Sequence, residues 1–281
     1  MVRFKIGAFA VGMLPTNCYY TYLENPGAAE QPCVVFDPGD HGAEIARALK
    51  DHGLRVEAVF LTHAHFDHIW GAEALLAETG APLYAWEGEK RLCADAGLNG
   101  SADYGRPCTV QPDRFLRDGD ILTAAGMTFR LLATPGHTEG SCCYYFDVEQ
   151  FGRLPAKAVG KNAAKHSADS ATQAAEKGAA KCSEDVMAQP DGENAARGSG
   201  KGTVPVTADG TEDSPRRALL CGDTIFQGSV GRTDMATGSQ SALLRSIHDK
   251  ILTLPDDTIL YPGHGALTDL GTERRSNPWF I

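Results

Sequence analysis

The chain has 281 residues, 42% hydrophobic and 22% charged, the balance of an ordinary soluble globular protein. Its net charge of −10 argues against a nucleic-acid partner, because a phosphate backbone rewards clustered Lys and Arg. No apolar run approaches the roughly 20 residues of a membrane span, and Met1-Val2-Arg3-Phe4-Lys5-Ile6 lacks the apolar core and cleavage site of a secretory signal.

Residues 2–11 and 18–24 read as a pair of strands, and Cys33-Val34-Val35-Phe36 as a third. Residues 43–49 place Ile45, Ala46 and Leu49 on one helical face, with Gly53 as a stop. The apolar run 56–61 is a buried strand. A helix follows it, with Ile69, Ala72, Leu75 and Leu76 on one face and Gly80 at its C-terminus. Residues 82–86 form a short strand and 87–97 a helix, and 98–118 are irregular. Strands are expected at 120–123, 127–133 and 141–147. Ser239 caps a helix with Leu243, Leu244, Ile247 and Ile251 on its face, and 258–261 is the last strand. This mixture implies an α/β protein with sheets covered by helices. From roughly Glu149 to Arg217 the chain is rich in Ala, Lys, Gly, Ser and Asp and poor in branched and aromatic residues. Such a segment cannot offset its ordering entropy, so it reads as a mostly disordered insertion. A solvated, tolerated loop is preferred over a partner-binding one, and His166 and Cys182 inside it receive no metal role.

The chemistry is concentrated at four strand ends. Thr62-His63-Ala64-His65-Phe66-Asp67-His68 offers three imidazoles and a carboxylate, the groups that bind Zn²⁺, Mn²⁺ or Fe²⁺. His63 and His65, at i and i+2, leave an extended segment on the same side. Asp67 and His68 fall where the chain turns into a helix and can point elsewhere, so this one stretch can serve two metals. His137, Asp223 and His264 each end a later apolar run at a Gly- or Pro-marked turn. Singly, each is more often a structural histidine or a turn former. Four strand ends repeating one pattern argue against coincidence, and against a solvated loop that is merely rich in His.

In this order the residues resemble the metallo-β-lactamase superfamily. The similarity runs from about Phe4 to Ile281 with one interruption, and within the superfamily it leans to the glyoxalase II-like (hydroxyacylglutathione hydrolase-like) short bacterial branch. Asn17-Cys18-Tyr19, Asp37-Pro38-Gly39, the run from Gly222 to Asp234, and Glu273-Arg274-Arg275-Ser276-Asn277-Pro278 carry that likeness. It implies an αβ/βα four-layer sandwich, with two central mixed β-sheets flanked by helices, in a single domain over 1–281 interrupted at about 149–217. It assigns His63, His65 and His137 to one metal, Asp67, His68 and His264 to a second, and Asp223 as the bridge. Asp37 would hydrogen-bond the ligand loop from outside. The longer relatives carry a C-terminal helical domain that grips glutathione. Only about seventeen residues follow His264 here, which places glutathione thioesters in question.

The expected cofactors are two divalent metal ions, zinc first, with iron or manganese as alternatives. Two metals sharing a water lower its pKa toward roughly 7, giving a hydroxide that attacks a carbonyl. The expected partner is therefore a small-molecule acyl thioester of the S-lactoylglutathione type, and Asp67 is the candidate catalytic proton acceptor as well as a ligand. Two alternatives are a mononuclear iron persulfide dioxygenase and a non-catalytic, metal-stabilised interaction module. Lactone or β-lactam hydrolysis fits the same chemistry. Arg232 is weighed as a structural partner of Asp234 ahead of a substrate contact, and Tyr104, Arg106 and Lys90 are further conceivable contacts. The eight cysteines, Cys18, Cys33, Cys93, Cys108, Cys142, Cys143, Cys182 and Cys221, show no C-x-x-C spacing. They read as reduced thiols in a cytoplasmic protein, with Cys221 as a small buried hydrophobe.

Overall fold

A computed structural model describes residues 3–148, 157–158, 206–207 and 215–280. The first half runs β1 (Arg3–Val11), β2 (Thr16–Glu24), β3 (Gln31–Phe36), α1 (Gly42–Asp51), β4 (Leu54–Phe60), α2 (Phe66–Ile69), α3 (Ala72–Thr79), β5 (Leu83–Trp86), α4 (Lys90–Ala94) and β6 (Arg114–Leu116). The second runs β7 (Ile121–Ala124), β8 (Met127–Ala133), β9 (Cys142–Asp147), β10 (Lys157–Ala158), β11 (Val206–Thr207), β12 (Arg217–Gly222), β13 (Ile225–Phe226), β14 (Ser229–Val230), α5 (Gln240–Ser246), β15 (Ile259–Pro262), β16 (Thr268–Asp269) and α6 (Leu270–Ser276).

Two seven-stranded sheets result, in the orders β11-β1-β2-β3-β4-β5-β6 and β10-β7-β8-β9-β12-β15-β16. Both are mixed: β3, β4, β5 and β6 run parallel in one, and β12 with β15 in the other. Their facing sides bury Phe36, Phe60, Phe129, Tyr144 and Phe146 in one continuous cluster. On the outer face of the first sheet, Ile45 and Leu49 of α1, Leu75 of α3 and Leu92 of α4 pack against Val35 and Val59. On the outer face of the second, Leu243, Ile247 and Leu270 pack against Leu219 and Leu260. The order is helix, sheet, sheet, helix, the four-layer α/β sandwich expected from the sequence.

The interior is aromatic and interlocked. Phe129 is fully buried, 4.7 Å centroid to centroid from Phe146 and 5.3 Å from Phe60. Phe129→Ala is expected to cost about 3–5 kcal/mol, because rigid rings from both sheets cannot collapse into the gap. Urea unfolding checks this: the midpoint falls while the slope stays unchanged.

Several sequence expectations are corrected. Arg217 is not part of the insertion. It begins β12, pairs with Asp147 across the ladder, and bonds the Asp147 carboxylate at 3.0 Å. Most of the expected disordered segment lies outside the described residues. Within it, Lys157–Ala158 adds to β7 and Val206–Thr207 adds to β1, each at a sheet edge. The helix expected over 87–97 is a single turn at Glu87–Glu89 followed by α4. It ends where the Asp95 side chain accepts the Gly97 and Leu98 N–H groups, an Asx turn that competes with helix. The stretch 98–118 is not irregular throughout, since β6 pairs in parallel with β5. The helix after the first ligand motif is broken at Trp70-Gly71, where Gly71 N–H bonds the Pro38 carbonyl and a Cβ would collide with Asp40. It ends at Gly80, whose φ of 60° suits the left-handed C-cap.

Candidate metal centre

The predicted ligands sit on segments that leave the C-terminal ends of strands, on one rim of the sandwich. Asp37 ends β3, His63 and His65 follow β4, His137 follows β8, Asp223 follows β12 and His264 follows β15. β4 belongs to one sheet and β8, β12 and β15 to the other, so the rim joins both. His65 is extended (φ −61°, ψ 149°), and Asp67 and His68 lie in α2 immediately after it. His63, His65 and His137 form one group with ligand atoms within 4.8 Å of one another, and Asp67, His68 and His264 form another. Asp223 lies between them. Its Oδ1 is 3.4 Å from His68 Nε2, and its Oδ2 is 3.6 Å from His137 Nε2 and 3.4 Å from His264 Nε2.

The hydrogen bonds around this cluster decide which nitrogen of each ring faces inward. Thr62 Oγ1 donates to Asp37 Oδ2 at 2.6 Å, so its lone pair is free to accept from His63 Nδ1 at 3.1 Å. That leaves His63 Nε2 without a proton and, buried, without any partner. His68 Nδ1 donates to Asp37 Oδ2 at 3.0 Å, and its buried Nε2 has no hydrogen bond. His137 Nδ1 donates to the Arg232 carbonyl at 2.7 Å, and His264 Nδ1 to the Pro15 carbonyl at 3.2 Å. His65 alone faces inward with Nδ1, 2.9 Å from His137 Nε2. Five imidazoles thus turn one nitrogen each toward a common space, four of them with the other nitrogen tied back. Fixing a ring through its far nitrogen is how proteins present histidine to a metal.

The donor set fits divalent cations. Buried polar atoms normally find hydrogen-bond partners, yet among the described residues His63 Nε2, His68 Nε2 and Asp223 Oδ1 make no hydrogen bond, the last two facing each other only at 3.4 Å. Divalent ions, one held by the His63 group and one by the His68 group, would accept these lone pairs. Asp37 is also near His63 and His68. Its oxygens are engaged by Thr62 N–H at 2.7 Å, Thr62 Oγ1 and His68 Nδ1, so it orients the ligand loop from outside. It holds φ 51°, a left-handed position that Asp tolerates better than most residues.

Without metal the cluster must be held by its own charges. Burial opposes a proton on His68, but Asp67, Asp223 and Asp37 outweigh it and raise its pKa. Burial opposes the Asp223 charge too, yet His68 and His264 hold its carboxyl well below the usual range. For His264, burial is outweighed by hydrogen bonds to Asp223 and Asp67, which push it up to about 10. Burial, with His137 beside it, pushes His65 down to about 3. The signs give a pH profile for the metal-free protein. The His264 contribution is complete below its ordinary 6.5 and is lost as pH rises through about 10. The unfolded chain protonates His65 first, so its contribution is lost as pH falls from 6.5 toward about 3. Melting of chelator-treated protein against pH is expected to fall on both sides, with His264→Asn flattening the alkaline limb.

The structure also places residues that the sequence reading left aside. Asn17 Nδ2 donates to the Pro262 and Gly265 carbonyls at 3.0 Å each, and Tyr19 Oη to Pro262 at 2.9 Å. The first hairpin therefore clamps the loop that carries His264. Thr16 Oγ1 bonds Asp67 Oδ2 at 3.2 Å, beside His264 Nε2 at 3.1 Å. Glu89 is buried against the ligand loops, and burial pushes its carboxyl up to about 7. Cys221 is a core thiol directed at the Ile225 carbonyl, in keeping with a small buried hydrophobe. Ser141 directly precedes β9, and its Oγ accepts the Thr138 N–H. Arg232 grips Asp234 through two bonds of 2.8 and 2.9 Å on the surface, while its backbone carbonyl orients His137. Arg106 is paired with Asp40 and lies over Trp70, and Lys90 lies over Phe115. Tyr104 packs tilted against Phe66, 4.2 Å between ring centroids, and stays half exposed.

Comparison with known proteins agrees with this architecture. The metallo-beta-lactamase superfamily model matches residues 12–151. The probable metallo-hydrolase YqgX of Bacillus subtilis (strain 168) is 31% identical over 271 residues, covering 96% of this chain and 94% of that protein. Hydroxyacylglutathione hydrolase GloC of Haemophilus influenzae is 24% identical, covering 94% and 92%. Among solved structures, the BLEG-1 B3 metallo-beta-lactamase aligns with a TM-score of 0.68 at 30% identity, over 98% of this chain and 99% of that one. No helix among the described residues is long and apolar enough to cross a membrane. Near-full-length similarity at this level, on a sandwich whose rim gathers His and Asp side chains suited to divalent metals, shows that the chain belongs to the metallo-beta-lactamase superfamily, as a metallo-hydrolase.

Proposed function

We propose that the chain hydrolyses a thioester or a related small acyl substrate, using two divalent metal ions, zinc by preference. His63, His65 and His137 would hold one ion, Asp67, His68 and His264 the other, and Asp223 would touch both. The observation that carries this reading is the set of ring nitrogens turned inward toward the Asp67 and Asp223 carboxylates, with ligand atoms gathered in two groups. Ions held there would polarise a carbonyl and lower the pKa of a water toward roughly 7.

The chain's own groups supply orientation and a proton acceptor. Asp67 Oδ2 lies 3.2 Å from the Thr16 hydroxyl, whose shorter bond of 2.7 Å goes to the Leu14 carbonyl, and 3.1 Å from His264 Nε2. Its carboxyl is lowered despite burial, because His68 and His264 favour the charge, so it is ionised at neutral pH. In that state it can accept a hydrogen bond from the attacking water and then its proton. Water oxygen bonds to the acyl carbon, the carbon–sulfur bond breaks, and the thiolate departs without a strong acid.

The likeness to hydroxyacylglutathione hydrolase GloC supports a thioester. The Asp67–His68–His264 group favours a dinuclear hydrolase over a mononuclear iron dioxygenase, which has no use for a second ligand set. We also take residues 1–281 as one hydrolase domain carrying an inserted segment. The seven described cysteines are all free and buried, which suits a reducing, cytoplasmic setting. The test is a substrate panel for the zinc-loaded protein: S-lactoylglutathione, other acyl thioesters, a lactone, a β-lactam, and glutathione persulfide with oxygen uptake recorded. Chelator-sensitive thiol release from a thioester is expected to lead. Oxygen consumption with persulfide, or turnover of the lactone or β-lactam alone, would replace the reading.

A further inference from the structure

Glu89 has no place in the ligand set, yet it is 1% exposed and lies behind it. Among the described residues its carboxylate meets hydroxyl and backbone donors rather than a cation. Oε1 accepts the Ala64 N–H at 2.8 Å. The Thr138 hydroxyl donates to the carboxylate, 3.1 Å from Oε1 and 3.0 Å from Oε2, and the Gly140 N–H bonds that hydroxyl at 3.3 Å. Ala64 separates His63 from His65, and Thr138 follows His137. The first loop leaves β4 and the second leaves β8, and these strands belong to opposite sheets. No ladder of hydrogen bonds fixes the distance between the two loops. The Cys142 N–H to Thr62 carbonyl bond of 2.8 Å and the Tyr144 hydroxyl to Leu61 carbonyl bond of 2.9 Å tie their bases, the rings of His65 and His137 meet at 2.9 Å, and Glu89 bonds both loops from behind, at Ala64 and at Thr138.

The second group is secured differently. Asp67 is held by Thr16, His68 by Asp37, and the His264 loop by Asn17 and Tyr19. None of those bonds involves Glu89. Resting on the metal-centre reading above, we propose that Glu89 is a positioning residue. It sets the spacing of His63 and His65 relative to His137 and so tunes the first metal position while leaving the second alone. Burying a carboxylate without a cation is costly. Spending that cost at this point is intelligible if a fixed imidazole spacing is the return.

The test titrates metal-free protein with Co²⁺ and follows both binding steps by visible absorption. Wild type is expected to show two steps. Glu89→Gln, which turns a donor toward the Thr138 hydroxyl, is expected to weaken one step roughly 10- to 100-fold, the range for residues that orient ligands. The other step keeps its affinity, and kcat falls with little change in KM. Thr138→Ala covers the case in which the Glu89 variant does not fold. It is expected to weaken the same step, and Thr138→Ser to restore it. A general loss of fold would weaken both steps together and lower the metal-free melting temperature. Equal weakening of both steps, or two unchanged affinities in the Glu89 and Thr138→Ala variants, overturns the proposal. A wild type that takes up no Co²⁺ overturns the metal-centre reading itself, and this proposal with it.

Discussion

Asp223→Asn is expected to lower turnover on the order of 10³-fold, the scale seen when a preorganised electrostatic group is removed from a reaction centre. The substitution keeps the side chain's size and the β12 turn. What it removes is a negative charge that faces three imidazoles, with His68 and His264 at 3.4 Å and His137 at 3.6 Å. Its two oxygens serve different groups, Oδ1 toward His68 and Oδ2 toward His137 and His264. An amide offers one acceptor oxygen and turns two N–H donors toward the other group, where inward ring nitrogens need an acceptor of protons or a cation. Both positions are therefore weakened at once, and excess metal is not expected to restore activity. Steady-state kinetics over a metal series checks this. Full recovery at high metal concentration would show that Asp223 contributes affinity alone.

Gly263→Ala is expected to cost activity out of proportion to stability. Gly263 lies between Pro262 and His264, and a Cβ there would overlap Asp223 Oδ1 and press on His68 Cε1 at 2.8 Å. Its carbonyl accepts Asn17 N–H at 2.7 Å and its N–H bonds the Gly222 carbonyl at 2.8 Å, so the backbone cannot move aside freely. The added methyl must displace Asp223, His68 or the His264 loop. Overpacking of this kind costs about 1–3 kcal/mol. A displacement near 1 Å in a reacting constellation costs about 10²-fold. The two readings separate by experiment: kcat/KM is expected to fall about 10²-fold while the metal-free melting temperature shifts by only a few degrees.

The candidate site was legible in the sequence because each predicted ligand ends an apolar strand. Runs such as Ala218-Leu219-Leu220-Cys221 are buried throughout, and the residue after the turn has nowhere to go but the rim. The alternation of strands and helices implied sheets covered by helices, and the family resemblance supplied the four layers. What stayed hidden depends on tertiary pairing. β6 has three residues, and β13, β14 and β16 have two each, too short for a period to register. Glu89 sits in Trp86-Glu87-Gly88-Glu89-Lys90, which reads as a solvated charged turn, and only the approach of two loops from opposite sheets buries it. Asn17 was noticed as part of a shared motif, but its grip on the His264 loop joins residues 245 apart in sequence. The break after Ile69 likewise has a distant cause, the close passage of the Pro38–Asp40 turn over Gly71.

The central claim is that seven side chains, His63, His65, Asp67, His68, His137, Asp223 and His264, draw together to hold a pair of divalent ions. Equilibrium dialysis of chelator-treated protein against Zn²⁺, followed by elemental analysis, tests it most directly. Saturation at about two ions per chain is expected, with thioester hydrolysis returning as the sites fill. Saturation at one ion, or none, would contradict it.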